Sequence, residues 1–234
     1  MTEFSEIILA ILLLIDLALT ASGRMLRCIR LAALHGFLIG AFPLVLWNYA
    51  EEGMVSWAII LTALVGCLVK GILLPSLLRH AMDHAKVKRE LEPWIGYAAS
   101  LGIVLGLSAL AFFLWIRCGI KPAGVPLLAA PVAFTTMITG LFITISRKKA
   151  LTQVVGFLIF ENGITLFGLG MGVECGLLVE LGIMLDVLVL VFVMGIAMFH
   201  INREFAHIDA DRLNHLNEVE EDAQYDSGES EVKA

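Results

Sequence analysis

Residues 95–116 read IGYAASLGIVLGLSALAFFLWI, twenty-two positions without a charged side chain. A helix of that length rises about 33 Å, enough to cross a hydrocarbon core of roughly 30 Å. Backbone N–H and C=O groups in lipid must be satisfied within the segment, so the block predicts a transmembrane helix. Nothing in the chain alternates with the short period of a barrel strand.

Similar blocks recur on both sides. The candidate helices are 4–22, 30–48, 54–79, 95–116, 125–146, 150–171 and 177–201. The composition agrees: of 234 residues, 59% are hydrophobic and 16% charged, where a soluble domain carries roughly 25% charge. The expected fold is an all-α polytopic transmembrane bundle of about seven helices. It occupies one membrane domain, 1–202, with short connections except at 80–94. The first block has Glu3 and Glu6 where a signal peptide would be basic, and Asp16 interrupts it. It therefore reads as a retained helix.

Lysine and arginine orient the bundle. Of sixteen, thirteen lie on one set of loops and the tail: Arg24, Arg27 and Arg30; Arg79, Lys86, Lys88 and Arg89; Arg147, Lys148 and Lys149; Arg203, Arg212 and Lys233. Only Arg117 and Lys121 lie on the opposite set, and Lys70 falls inside a helix. The positive-inside rule puts the C-terminus in the cytoplasm and the N-terminus outside. The acidic tail, 203–234, carries ten acidic and three basic side chains. Such a segment is usually solvated. Ile208, Leu213, Leu216 and Val219 give it a partial helical stripe that suits docking on a partner.

Several functions lose support. Cys28, Cys67, Cys118 and Cys175 are far apart in sequence, without a C-x-x-C, which disfavours a metal or iron–sulfur site. There is no phosphate-binding glycine loop, no G-x-S-x-G and no H-E-x-x-H. No catalytic residue, metal or cofactor is expected on the chain. Basic residues cluster only at helix ends, so nucleic acid is not an expected partner.

Six ionisable side chains interrupt the apolar blocks: Asp16, His35, Lys70, Glu161, Glu180 and Asp186. Such residues are costly in hydrocarbon, face the bundle interior, and mark ion or proton paths. Glu161 is too short to reach the interface from the middle of its helix. It suits proton uptake and release, or else a hydrogen-bonded acid that joins helices. Glu180 and Asp186 are separated by about 9 Å of rise and about 120° of rotation, so they would face different neighbours. Glu180 also suits a solvated helix start. Lys70 precedes Pro75, which withholds an N–H from the carbonyl of Gly71 and predicts a kink. Its amine would serve as a relay or counter-ion beside the kink, or snorkel toward Arg79. For His35 and Asp16, a packing role and a relay role both stand. The glycines of 156–176 suit close helix packing.

The stretch Arg147-Lys148-Lys149, Gly156, Glu161-Asn162-Gly163, Val179-Glu180-Leu181-Gly182 and Leu185-Asp186 resembles component E of hydrogenase 4. The Lys70…Pro75 segment and Ile208-Asp209 with Leu213 and Leu216 fit the same family. The last three helices also look like the small three-helix subunit of complex I, the NuoK or Mrp-C type. Gly156 and Asn162 keep the spacing of that subunit's Gly-x-Glu-x-x-x-Asn motif. Leu158 takes the glutamate position, and Glu161 lies nearly one turn on.

The resemblance implies a membrane-arm subunit of a complex I-like, hydrogenase-type assembly in a prokaryotic inner membrane. Its implied partners are antiporter-like membrane subunits, a membrane anchor subunit and a hydrogenase-like peripheral arm. This chain would help conduct protons or sodium, with the redox chemistry elsewhere. Two other readings remain at this point: a scaffold subunit, and a stand-alone small-molecule transporter, for which inverted repeats are lacking.

Overall fold

The computed structural model describes residues 2–49, 57–84, 95–119, 125–147 and 149–171. The helix expected at 177–201, Glu180, Asp186 and the acidic tail lie outside the described residues.

The described elements are helices: α1 (Thr2–Ala21), α2 (Met25–Tyr49), α3 (Trp57–Leu68), a π-turn (Val69–Leu73), α4 (Leu74–His84), α5 (Tyr97–Cys118), α6 (Ala129–Ser146) and α7 (Ala150–Gly170). The π-turn joins α3 to α4 in one apolar span, so the described residues contain six helices long and apolar enough to cross a membrane. Among them there is no strand. The protein is an all-α polytopic bundle.

The outward faces are apolar. Leu14, Leu61, Leu64, Ile72, Phe113, Ile116 and Ile145 are all exposed, an arrangement that water would penalise and lipid accommodates. Helix α6 is the most enclosed, with 61% of its span buried, against 17% for α5 at the periphery.

Glycine sets the two closest helix approaches. A Cβ on Gly40 would stand 2.4 Å from the backbone nitrogen of Cys67, and one on Gly36 would stand 2.5 Å from the carbonyl oxygen of Lys70. Backbone thus lies directly on backbone where α2 meets α3 and the π-turn. On α6 and α7, Gly140, Gly156 and Gly163 do the same, each abutting the facing helix's backbone. Small residues let transmembrane helices gain van der Waals contact that larger side chains would block.

Three helix boundaries differ from expectation by four residues or more, one of them the start of α6, at Ala129 rather than 125. Helix α2 begins at Met25 rather than 30, so Arg27 and Arg30 ride on its first two turns instead of in a loop. The third span runs on to His84. The distortion expected at Pro75 takes the form of a π-turn placed before the proline. The N–H of Leu74 reaches back to the carbonyl of Val69, five residues earlier. Pro75, five residues after Lys70, brings no N–H to the Lys70 carbonyl, and that oxygen faces Gly36 instead.

Candidate functional site

Four of the six residues singled out in the sequence meet in the bundle interior. Lys70 Nζ lies 2.7 Å from Glu161 Oε1, joining the π-turn to α7. Both side chains are almost fully buried, at 2% and 6% exposure. Lys70 therefore does not snorkel to the interface. The inserted π residue turns it inward, where a carboxylate is in reach.

Thr165, one turn beyond Glu161, completes this pair. Its hydroxyl accepts from Lys70 Nζ at 2.8 Å. It also lies 3.3 Å from Glu161 Oε1 and 3.2 Å from the Glu161 carbonyl. The ammonium thus has two oxygen partners, as a buried charge needs.

Asp16 and His35 form a second group, both fully buried. Thr136 on α6 donates to Asp16 Oδ2 at 2.7 Å. Asp16 Oδ1 stands 3.5 Å from His35 Nε2. On the other edge of the ring, the Asn162 side-chain nitrogen lies 3.3 Å from His35 Nδ1. An amide nitrogen only donates, so Nδ1 accepts and the ring proton sits on Nε2, facing Asp16. Asn162 follows Glu161 in the chain, and Lys70 is within electrostatic reach of His35. Thr136, Asp16, His35 and Asn162 thus form one polar group and Glu161, Lys70 and Thr165 another, and the two make a polar line across the bundle whose middle step is the succession of Glu161 and Asn162 along α7 rather than a side-chain hydrogen bond.

This line can hold and pass protons. It has a carboxyl group in each of its two parts, an imidazole with two distinct nitrogens, and an ammonium between helices. Among the described residues, no group of three or more His, Cys, Asp or Glu side chains could hold a metal ion.

Four further residues were not among the candidate site residues, although Asn162 was noted beside Glu161. Thr165 and Asn162 had a signal, because they share a helix turn with Glu161. Thr136 had none, since a threonine in an apolar helix usually bonds its own backbone. Thr135 does this, donating to the Pro131 carbonyl at 3.0 Å. Arg147 was placed in a basic loop, yet its side chain is among the largest that are fully buried. It donates to the Thr20 carbonyl at 2.8 Å and lies over the Tyr97 ring, 4.8 Å from the centroid.

No family model and no solved structure matches the chain. An uncharacterized protein of Mycobacterium tuberculosis (strain ATCC 25618 / H37Rv), Rv0085, is 34% identical over 193 residues, which cover 81% of this chain and 85% of the relative. The chain belongs to the same family as this mycobacterial protein.

Proposed function

We propose that this chain is a membrane-arm subunit of a complex I-like, nickel–iron-hydrogenase-type respiratory complex of the prokaryotic inner membrane, and that its polar line conducts protons. The observation that carries the reading is the Lys70–Glu161 ion pair at 2.7 Å, continued by Asp16, His35 and Asn162 in the same bundle. Ionisable groups in lipid are rare, and groups so placed mark relays. The partners that fit are antiporter-like membrane subunits, the membrane anchor and the hydrogenase-like peripheral arm.

The chemistry is proton transfer along the Lys70–Glu161 hydrogen bond and, at the second group, across the 3.5 Å separation of His35 Nε2 and Asp16 Oδ1 once it shortens. A proton moving from Lys70 Nζ to Glu161 Oε1 leaves a neutral amine and a neutral acid, so no isolated charge remains in the low-dielectric interior. At the second group, His35 must first take a proton at Nδ1, the edge that Asn162 occupies, and can then pass its Nε2 proton to Asp16 Oδ1, which returns the ring to its neutral form. Movement of the Asn162 amide therefore controls whether His35 can reload.

In the intact complex reconstituted in vesicles, Glu161→Gln and Lys70→Ala should lower proton uptake per turnover while leaving complex yield unchanged. A scaffold role has its own support, since the same ion pair ties together segments 91 residues apart. It predicts lost assembly with unaltered coupling in whatever complex survives. Unchanged coupling in both variants would overturn the relay.

A further inference from the structure

The polar line is closed differently at its two ends. On one side lies an apolar layer: Leu9 and Leu12 of α1, Phe42 of α2, Val132 and Ala133 of α6, and Leu166 of α7, all with essentially no exposure. These residues precede Asp16 and Thr136 and follow His35 and Asn162 along helices of alternating direction. They therefore share the end away from the α1–α2 and α6–α7 turns. Toward the same end, Ser5 on α1 and Trp115 on α5 are buried polar groups outside this layer.

The other end is built from polar groups. Moving from Asp16 toward the turns, the Thr20 hydroxyl donates to the Asp16 carbonyl at 3.0 Å. The Thr20 carbonyl in turn accepts from Arg147 Nη2. On α6, Thr139 and Ser146 are buried on the face that carries Ile143 between them. Thr139 Oγ1, Ser146 Oγ and Arg147 Nη1 are all buried, and none has a hydrogen-bond partner among the described residues, whereas Ser22 Oγ has the Cys28 thiol beside it. Asp16 Oδ1, at the inner end of the series, also lacks a hydrogen-bond partner among them. Buried groups of this kind are costly unless water reaches them.

Arg147 sits across this series. It spans from Thr20 on α1 to Tyr97 at the start of α5. Cys28, at the start of α2, lies beside Ser22 and within electrostatic reach of Arg147. Arg24 in the α1–α2 turn and Arg27 in the first turn of α2 lie at this end, which the positive-inside rule assigns to the cytoplasm.

We propose that Arg147 gates a one-sided polar entry, running from the basic end of the bundle past Ser22, Ser146 and Thr139 to Asp16. Water carrying a proton enters by it from the cytoplasmic side, and the apolar layer denies the same access from the opposite face. An arginine suits the position. Its planar fork bonds a carbonyl while it stacks on an aromatic ring, and its fixed charge disfavours free passage of cations. When it swings off Thr20, Ser146 and Thr139 offer polar stations toward Asp16, with Ile143 between them. This entry deepens the relay reading above and rests on it for the use made of the proton.

Sidedness tests it without any need for coupling. Thr139→Cys would be placed in the full-length chain with Cys28, Cys67, Cys118 and Cys175 changed to serine, in right-side-out and inverted membrane vesicles. Silver ion would be added to one face, and protection of the thiol from later alkylation would be followed in time. Protection is expected from the basic face only. Arg147→Ala should raise its rate about tenfold or more, the rate equivalent of losing one charge-assisted hydrogen bond, and Arg147→Lys should lie between. The sidedness is read with Arg147 intact, so it stands even if Arg147→Ala fails to fold. Protection from the opposite face, or equal rates with Arg and Lys at 147, would overturn the proposal. Expected sidedness combined with unaltered coupling in the Glu161 and Lys70 variants would keep the entry and remove the relay.

Discussion

Lys70 and Glu161 stand 91 residues apart in the chain, yet Lys70 Nζ lies 2.7 Å from Glu161 Oε1 inside the bundle. Two features bring them together. The π-turn inserts one residue before Pro75 and rotates Lys70 inward. The glycine contacts at Gly36 and Gly40 bring α2 close against the third span, fixing the depth at which Lys70 sits.

Removing one partner of a buried ion pair leaves the other charge uncompensated, at a cost of about 3–5 kcal/mol. Glu161→Leu should therefore destabilise the detergent-solubilised chain by that order. Replacing both residues, with Lys70→Met and Glu161→Leu, should recover most of it. Thermal unfolding of the two singles and the double gives the coupling directly. Strictly additive losses would contradict a shared pair.

The His35 ring offers a spectroscopic check. With Asn162 donating to Nδ1, the neutral ring carries its proton on Nε2. Nitrogen-15 chemical shifts of labelled histidine should report that tautomer in the wild type. Asn162→Leu should release it and populate the Nδ1–H form, whereas Thr136→Val should leave the tautomer unchanged.

Glycine substitutions should divide by location. Gly140→Ala drives a methyl group into the backbone at Phe160, where the added carbon would stand 2.2 Å from nitrogen, and Gly40→Ala does the same at Cys67. Overpacking of this kind costs roughly 1–3 kcal/mol or more. Gly102 and Gly106 on α5 have nothing within 4 Å of an added Cβ. Alanine there should be neutral or stabilising by about 0.5–1 kcal/mol, because glycine weakens a helix interior by that amount. Melting temperatures of the four variants check the division.

Pro75→Ala restores an N–H to a span that lacks one. The π-turn then loses its main local cause, and reversion to a regular helix would rotate Lys70 by about 100° relative to α4. The expected result is loss of the ion pair without loss of the helix. Circular dichroism should be unchanged, while stability falls toward that of Glu161→Leu. Adding Glu161→Leu to Pro75→Ala should then cost little more.

Sequence alone determined the class of this protein and the identity of its costly residues. Apolar block length fixed the six described spans, because a helix in lipid needs a set number of residues and no partner strand. Asp16, His35, Lys70 and Glu161 stood out because ionisable groups are rare in such blocks. Pro75 announced a distortion through its missing N–H.

Tertiary structure decided what these residues face. Whether Lys70 points to the interface or to Glu161 depends on helix rotation, which the π-turn changes and no periodicity reveals. Thr136 is an ordinary threonine until α6 packs beside Asp16. Arg147 belongs to a basic run by sequence and becomes an interior group only because α1, α5 and the α6–α7 turn converge on it. Partner choice depends on distances across helices, and those are set by which glycines allow backbones to touch.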